Sequence, residues 1–296
     1  MSVVLVTGAS TGIGNLTVKA LASAGHTVYA SMRDPAGRNA TAVSELKDIA
    51  NRDDVDLRVV ELDVQSQASA DQAVSTIIDT AGRLDVVVHN AGHLYVGYVE
   101  AFTAGDISDL FDINVLGVQR VNRAVLPHMR ERRSGTLVYV GSTTTVSVPP
   151  FLGPYVASKF AFDALAMVTA YEVSQFGIET TIVMPGAFTQ GTQHFPNASH
   201  ASDDAITAAY AALDPMVARN EEATASLFDP KIDADPATVG VEIARILSLP
   251  AGQKPFRSVV DFTQSNVEQV IKVTEQSRRD FLTRLGFSEL LELKAA

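Results

Sequence analysis

Two residues one helical turn apart offer the chemistry of a proton transfer. Tyr155 and Lys159 lie four positions apart in a stretch with helical spacing, so both side chains can point to one face of a helix. A free tyrosine has a pKa of about 10, which is too high for easy proton exchange near neutral pH. A neighbouring ammonium group stabilises the phenolate and lowers that pKa. The pair therefore predicts a general acid/base for the reduction of a carbonyl group or the oxidation of an alcohol.

A hydroxyl group suited to orienting the reacting oxygen precedes this pair. Ser142 follows an apolar run at 136–141 that predicts a strand, and it lies thirteen residues before Tyr155. A hydroxyl placed there can donate a hydrogen bond to a substrate oxygen as charge develops on it. Tyr-x-x-x-Lys by itself also occurs by chance, so the preceding serine is what makes the pattern specific.

A glycine-rich turn near the N terminus offers a site for phosphate groups. Residues 7–14 read Thr-Gly-Ala-Ser-Thr-Gly-Ile-Gly and connect the apolar run 3–6 to a helical pattern. Glycines allow a sharp turn and close approach of the backbone to a pyrophosphate, which the N terminus of the following helix then faces with N–H groups. The turn predicts a dinucleotide site formed by Gly8, Ser10, Thr11, Gly12, Ile13 and Gly14.

These motifs, in this order, resemble those of the classical short-chain dehydrogenases. That family has a Rossmann-like fold and moves a hydride between NAD(P) and a carbonyl or alcohol. The shared features are Gly-x-x-x-Gly-x-Gly after the first strand, an Asn-Ala-Gly at 90–92, Asn114, Ser142, Tyr-x-x-x-Lys and the Pro-Gly at 185–186. The resemblance is strong over roughly residues 3–190 and loose beyond, and its closest pattern is the 17β-hydroxysteroid-dehydrogenase and retinol-dehydrogenase-like branch.

The resemblance implies roles for individual residues. Ser142 would hydrogen-bond the substrate oxygen, Lys159 would also hold the nicotinamide ribose, and Asn114 would support a water that links Lys159 to solvent. Which of Thr189, Gln190 and Thr192 contacts the nicotinamide carboxamide stays open, because the family often has threonine where this chain has Gln190. The further cofactor contacts implied are Asp63, Val64, Asn90, Ala91, Gly92, Tyr155, Lys159, Pro185, Gly186, Phe188 and Thr189.

The choice between NAD and NADP depends on the end of the second predicted strand, where the adenosine ribose lies. Arg33 follows this strand directly, with no acidic residue at Ser31 or Met32, and its guanidinium suits a 2′-phosphate. We interpret Asp34, before Pro35, as a turn residue that points away. The sequence therefore predicts NADP, with NAD as the alternative.

Alternating apolar and amphipathic stretches predict the elements that position these residues. They indicate an α/β fold, a doubly wound parallel Rossmann-like sheet of about seven strands with helices on both faces. We expect one domain over 1–296, with a substrate lid at about 187–235 and a helical tail at about 263–290. The strands are predicted near 3–6, 27–32, 57–62, 84–89, 136–141, 178–184 and 256–262, and the main helices near 13–24, 40–51, 68–81, 106–132, 155–176, 201–221 and 236–249.

The predicted substrate cleft is apolar and partly aromatic. Its walls are expected to include His93, Tyr95, Thr144 and Phe151, with no obvious arginine or lysine, which argues against a small charged acid. The predicted function is NADP-dependent reduction of a ketone or aldehyde, or oxidation of the corresponding secondary alcohol, on an apolar substrate of medium size. The alternative is a non-catalytic NADP-binding regulator on the same fold.

Composition excludes several other classes of function. The net charge of −11 and a pI near 4.9 disfavour nucleic-acid binding, and the absence of cysteine excludes thiolate chemistry and disulfides. The histidines show no metal-ligand spacing, so we expect no metal. No apolar run predicts a signal peptide or a membrane span, so the expected location is cytoplasmic. By resemblance, helices near 106–132 and 155–176 would form a homodimer or homotetramer.

Overall fold

The computed structural model describes residues 1–294, and its centre is a sheet of seven parallel strands. The strands are β1 Val3–Val6, β2 Thr27–Met32, β3 Leu57–Glu61, β4 Val86–His89, β5 Gly135–Val140, β6 Ile178–Pro185 and β7 Arg257–Val260. Their order is β3-β2-β1-β4-β5-β6-β7, with parallel pairing throughout. The order reverses between β1 and β4, and ligands of such sheets bind beside this switch point. The predicted fold class is confirmed.

Helices cover both faces of the sheet, because each parallel crossover needs one. The α-helices are α1 Gly12–Ser23, α2 Ala40–Asp53, α3 Gln67–Ala81, α4 Ala104–Phe111, α5 Gly117–Arg132, α6 Thr144–Ser147, α7 Gly153–Ser174, α8 Asp204–Ala209, α9 Asp214–Ala218, α10 Asn220–Ala225, α11 Ala237–Ser248 and α12 Val267–Leu285. Within the described part of the chain, none of these helices is long and apolar enough to cross a membrane.

Two hydrophobic cores lie on opposite faces of the sheet, as the alternation of side chains along a strand requires. In β1, Leu5 faces the core formed with α3, α5 and α7, whereas Val4 and Val6 face the core formed with α1 and α11. All three side chains are fully buried. The continuous apolar runs of the sequence therefore mark strands that are covered on both faces.

The structure corrects two of the predicted helices. The helix predicted at 106–132 is interrupted at Asp112–Leu116 by a π-helical turn, which separates α4 from α5. The helix predicted at 201–221 is a series of short segments, α8 to α10, with a 3-10 turn at Ala211–Leu213. Pro215 stands at the start of α9, where its missing N–H and fixed φ suit a new helix better than a continuing one. The predicted tail contains α12, and the last two residues of the predicted domain lie outside the described part of the chain.

Candidate active site

The turn between β1 and α1 contains three glycines, and two of them leave no room for a side chain. Gly8 has φ +66°, and a Cβ there would lie 2.8 Å from the Cα of Ala91. A Cβ on Gly14 would collide with the carbonyl oxygen of Gly8 and with Nδ2 of Asn90. Gly12 has φ +56° but no atom within 4 Å of its hypothetical Cβ, so it faces open space. Gly8 and Gly14 thus serve close packing, and Gly12 leaves the backbone accessible.

Thr7 and Asn90 fix this turn against the end of β4. The buried Thr7 hydroxyl accepts hydrogen bonds from the backbone N–H groups of Asn90 and Ala91, both at 3.0 Å. The Asn90 side chain donates to the carbonyl oxygens of Thr7 and Gly8 at 2.9 and 3.0 Å. The turn is therefore held in shape by the protein itself.

The N terminus of α1 suits an anionic ligand. Thr11 is its N-cap in an extended conformation, and within the described residues no side chain caps this end or places a carboxylate in the first turn. The first N–H groups of a helix have no intrahelical partner and stand at the positive end of the helix dipole. The predicted residues Ser10, Thr11, Gly12 and Ile13 all lie at this point. The turn and the helix end fit the pyrophosphate of a dinucleotide.

The structure brings Tyr155, Lys159 and Ser142 together at the carboxyl edge of the sheet. Tyr155 and Lys159 lie in the first two turns of α7, which begins at Gly153 with Pro154 in its first turn, and both side chains are 7% exposed. The Lys159 ammonium lies 5.8 Å from the centre of the Tyr155 ring and donates to the carbonyl oxygen of Val140 at 3.0 Å. All three predicted residues meet where the sheet ends.

Burial dominates the electrostatics of this group. Burial raises the pKa of Tyr155 to about 12, against a smaller opposite effect of its hydrogen bond with Ser142. Burial also lowers the pKa of Lys159 to about 8. The Tyr155 pKa is therefore raised and not lowered as expected, because desolvation of the phenolate is its largest influence. Near neutral pH the phenol carries its proton.

The Ser142 hydroxyl is oriented by its neighbour Thr144. The Thr144 hydroxyl donates to the Ser142 oxygen at 2.9 Å, and the Thr144 backbone N–H donates to the same oxygen at 3.2 Å. A hydroxyl group has one proton and two acceptor positions. Because both acceptor positions are used, Ser142 is left to donate its proton toward Tyr155 or a reacting oxygen. Thr144 was predicted as a substrate contact, and the structure places it directly behind Ser142.

Asn114 lies in the π-helical turn and is only 1% exposed. Its side-chain oxygen accepts from the N–H of His93 at 2.8 Å, and its amide donates to the carbonyl of His93 and to the hydroxyl of Ser158 at 3.0 and 2.9 Å. A π turn widens the helix, and such turns are frequent at functional sites. Asn114 thereby joins the loop after β4 to α7 between Tyr155 and Lys159.

The residues predicted to contact the adenosine of the cofactor follow strands β2 and β3. Arg33 is exposed directly after β2, where its guanidinium donates to the Gln65 side chain at 3.4 Å. The Asp34 carboxylate accepts from the N–H groups of Gly37 and Arg38, both at 2.9 Å, so it is engaged in its own turn. Asp63 closes β3 and accepts from the N–H of Gln65 at 3.1 Å. Val64 follows and is buried.

The residues after β6 line the opposite side of the same edge. Gly186 donates its N–H to the carbonyl oxygen of Val260 at 2.9 Å, and a Cβ there would collide with the Asp261 carboxylate. Pro185 ends the strand, and Phe188 is 6% exposed with its ring 6.0 Å from that of Phe262. Thr189 lines a cavity of about 390 Å³ together with Gln190 and Glu222 of α10.

The segment 194–203, the covering segment, packs beside Tyr155. It pairs with the loop after β4, since Ser199 donates to Leu94 and accepts from Val96, both at 2.9 Å. His93 also bonds the Ser199 hydroxyl at 2.7 Å. Of the other predicted wall residues, the Tyr95 ring stacks on Phe102 at 5.7 Å, and the Phe151 ring packs edge-on against Tyr98 at 6.0 Å.

Sequence reasoning missed three residues of this site. The His194 ring lies 5.5 Å from the Tyr155 ring, edge-on, and is the part of segment 194–203 that contacts the predicted acid/base. Thr7 and Ser199 hold the two flanking segments, as described above. Thr7 opens the glycine motif, so its position there was a usable signal. His194 and Ser199 carried none, because a histidine or serine among glycine, proline and asparagine is typical of any loop. Within residues 1–294, no group of three or more His, Cys, Asp or Glu side chains is arranged to hold a metal ion.

The fold and this arrangement define a Rossmann-like nucleotide-binding protein, and comparison with known proteins identifies its family. The family model of short chain dehydrogenases matches residues 2–202, so the chain belongs to the short-chain dehydrogenase family, as predicted. A similar solved structure is a short-chain dehydrogenase from Streptomyces avermitilis, with 28% identity, a TM-score of 0.72 and coverage of 96% of this chain and 97% of that one.

Two curated relatives have a higher sequence identity to this chain than that structure has. It is 35% identical over 189 residues to the 3-ketodihydrosphingosine reductase of Bacteroides thetaiotaomicron, a match to 64% of this chain and 65% of the relative, less than two thirds of its length. Human retinol dehydrogenase 8 is 31% identical over 98% of this chain and 84% of its own. The predicted likeness to retinol dehydrogenases is confirmed.

Proposed function

We propose that this protein is an NADP(H)-dependent oxidoreductase that interconverts a ketone or aldehyde and the corresponding alcohol on an apolar substrate of medium size. The observation that carries the proposal is the buried group of Tyr155, Lys159 and Ser142 at the carboxyl edge of the sheet, beside the glycine turn. A protonated phenol, a buried cation and an oriented hydroxyl are what hydride addition to a carbonyl requires.

Each residue has a distinct part in the proposed reaction. A bound nicotinamide supplies the hydride in reduction and accepts it in oxidation. Ser142, with both acceptor positions filled by Thr144, donates to the carbonyl oxygen and holds it. Tyr155 donates its proton to that oxygen, and the nearby Lys159 ammonium stabilises the phenolate that remains. Asn114 acts as a positioning residue, because it fixes α7 against the loop that carries His93.

The proposed cofactor site extends across the switch point of the sheet. Its phosphates would lie on the turn 7–14, the adenosine at Arg33, Asp63 and Val64, and the nicotinamide between residues 90–92 and Lys159 on one side and residues 185–189 on the other. The exposed Arg33, with Asp34 engaged in its own turn, favours NADP over NAD, since a guanidinium binds a 2′-phosphate with charge-assisted hydrogen bonds. NAD is the alternative outcome.

The proposal of an apolar substrate rests on the hydrophobic residues around Tyr155, two of which, Phe195 and Ala198, belong to the covering segment. Buried and half-buried hydrophobic residues of the loop after β4, of α7 and of segment 194–203 form one cluster with Tyr155: Leu94, Leu152, Val156, Phe195 and Ala198. The names of the relatives, a 3-ketodihydrosphingosine reductase and a retinol dehydrogenase, also refer to substrates with long apolar parts. Residues 187–235 would act as the substrate lid, with His194 as its contact to Tyr155.

The test is a screen of NADPH oxidation over aliphatic, aryl, steroid and retinoid carbonyls, with Tyr155→Phe beside the wild type. Loss of the proton donor should lower turnover by about 10²- to 10⁴-fold while NADPH still binds. Tyr171→Phe is the matched control, because Tyr171 lies on the same helix, where its hydroxyl meets Arg278 and not the site. It should leave turnover unchanged.

Two outcomes would contradict the proposal. Near-normal turnover of Tyr155→Phe would show that another group moves the proton. Binding of NADPH without turnover of any carbonyl would favour the regulator that binds NADP without catalysis.

A further inference from the structure

The C-terminal helix α12 is fixed to the body of the protein along one face. Val267 and Leu282 are buried, and the Glu275 carboxylate bonds Arg257 at 2.9 Å. The Arg278 guanidinium lies 4.4 Å from the centre of the Phe256 ring and also pairs with Glu275. These contacts hold α12 in a defined orientation, so its outer face is a defined surface.

That outer face consists of two neighbouring ridges with a groove between them. One ridge is formed by Lys272, Gln276 and Asp280, and the other by Val273, Ser277 and Phe281, each with a spacing of four residues. Val273 is 69% exposed and Phe281 is 62% exposed, which is high for apolar side chains on a regular helix. The apolar pair lies at the two ends of its ridge, with the small Ser277 between.

The charges on this face are complementary to those on the same face of a second, antiparallel copy of α12. Lys272 and Asp280 lie at equal distances in sequence on either side of Gln276. An antiparallel copy centred at this point puts Lys272 of each helix opposite Asp280 of the other. The outer pair Glu268 and Arg284 repeats the same relation one turn further out. A parallel copy in register would put like charges together.

We propose that the outer face of α12 binds the same face of a second copy of this chain in an antiparallel arrangement. Helices that interdigitate through ridges of four-residue spacing cross at an angle, so contact is concentrated in the central turns. The crossing point then lies between Gln276 and Ser277, where the small Ser277 side chain lets the helices approach. Val273 of each copy covers Phe281 of the other, which removes both exposed apolar side chains from water.

The two kinds of contact have different consequences. Exposed ion pairs contribute little affinity, but in a parallel arrangement like charges of the two copies would face each other and repel. The charges therefore determine the orientation. The apolar pair supplies most of the affinity. This interface is separate from α5 and α7, so it is detectable whether or not those helices form a dimer.

A charge-reversal series measured by sedimentation equilibrium tests the arrangement. Lys272→Asp and Asp280→Lys, made singly, should each weaken association about tenfold, because two attractive pairs become repulsive. The double variant should restore association, since exchanging both charges again places opposite charges across the interface. Arg279→Glu is the matched control, because Arg279 is exposed on the same helix but does not line the groove.

A cross-linking experiment tests the crossing point directly. The chain has no cysteine, so Ser277→Cys introduces a single thiol beside the proposed crossing point. Mild oxidation should yield a disulfide-linked dimer, whereas Arg279→Cys should yield little, because a disulfide needs Cα atoms within about 7 Å. Phe281→Asp combined with Ser277→Cys should abolish the cross-link.

Three results would overturn the inference. The first is a double charge reversal that associates as weakly as the weaker single variant. The second is equal cross-linking at positions 277 and 279. The third is a wild-type protein whose association does not depend on α12, so that Phe281→Asp leaves the mass measured by sedimentation equilibrium unchanged.

Discussion

The turn after β1 and the covering segment are held in place by different kinds of contact. The turn is fixed by backbone packing, since a Cβ on Gly8 or Gly14 would meet other backbone or buried amide atoms within 3 Å. Its hydrogen bonds, from Asn90 and to Thr7, are partly or fully buried. Such a turn has its final shape before any ligand arrives.

The covering segment 194–203 pairs with the loop after β4 through two backbone hydrogen bonds, and the short helices that follow it are held by side chains. The Tyr98 hydroxyl donates to Asp214 and the Tyr210 hydroxyl donates to Glu100, both at 2.7 Å. The bond of Tyr210 is exposed and that of Tyr98 is half-buried. Two such hydrogen bonds stabilise a structure only weakly, so we expect these helices to open at low cost.

The difference gives the two regions separate roles in the proposed binding of cofactor and substrate. In the proposed function, a preformed turn would give cofactor affinity without an ordering cost, whereas a weakly held cover would let an apolar substrate enter and then shield it from water. Changes in the turn should therefore have large effects on cofactor binding, and changes in the cover should have small effects on its opening.

The largest effect is expected for Gly14→Ala. The added methyl group must displace the Gly8 carbonyl or the Asn90 amide, which are hydrogen-bonded to each other. Overpacking of this kind should weaken NADPH binding by about 100-fold or more, measured by calorimetry. Gly82→Ala is the control, because Gly82 also has a constrained backbone (φ +75°) but no atom near its hypothetical Cβ. If both variants bind NADPH equally well, the turn is not the phosphate site.

Arg33→Ala should have the next largest effect, and only on one cofactor. A hydrogen bond to a charged group contributes about 1.5–3 kcal/mol, or roughly 10- to 150-fold in affinity. NADPH binding should weaken by that factor, NADH binding should stay almost unchanged, and the wild-type preference should shrink as salt rises. Equal losses for both cofactors would show that Arg33 does not contact the 2′-phosphate. A wild-type preference for NADH would reverse the cofactor assignment.

Thr144→Val should have a moderate effect on the chemical step. It removes one neutral hydrogen bond to Ser142, which corresponds to about 2- to 13-fold in turnover. Because Ser142 then donates less strongly, the pKa of Tyr155 should rise, and the rise of alcohol oxidation with pH should move to higher pH. The pH profile of kcat/KM measures this shift.

Thr145→Val and Thr144→Ser are the controls for that variant. The Thr145 hydroxyl bonds the backbone carbonyl of Ser142 at 3.0 Å and not its side chain, so its loss should leave the profile in place. Thr144→Ser keeps the hydroxyl and should restore the wild-type profile. A profile that moves equally in both valine variants would mean that Thr144 only supports the short helix α6.

The smallest effect is expected in the short helices that follow the covering segment. Tyr210→Phe removes the bond to Glu100, an exposed contact that should speed opening by only about 1.4- to 5-fold. Hydrogen exchange of the Ser199 amide, which is bonded to Leu94, measures the opening, and NADPH affinity should not change. Unchanged exchange, with Tyr171→Phe as reference, would show that the contact between Tyr210 and Glu100 contributes nothing.

Local sequence determined the sheet and the glycine turn. Strand β1 begins and ends at the residues predicted, because a continuous apolar run rich in β-branched residues is typical of a strand covered on both faces. The positions of Tyr155 and Lys159 also followed from the sequence, since residues four apart share a face of any α-helix. By contrast, nothing local predicted the π turn at Asp112–Leu116, from which Asn114 bonds the loop after β4 and helix α7.

Tertiary structure alone decided what surrounds the reacting group. The sequence suggested that Lys159 would lower the pKa of Tyr155, but the fold buries both side chains, and desolvation raises the pKa instead. The contact of His194 with Tyr155 joins residues 39 positions apart through a segment that has no periodic pattern. Periodicity and motif spacing are properties of neighbouring residues, and sequence can state them. Burial and contacts between residues distant in sequence are properties of the folded protein, so they exist only once the chain has folded.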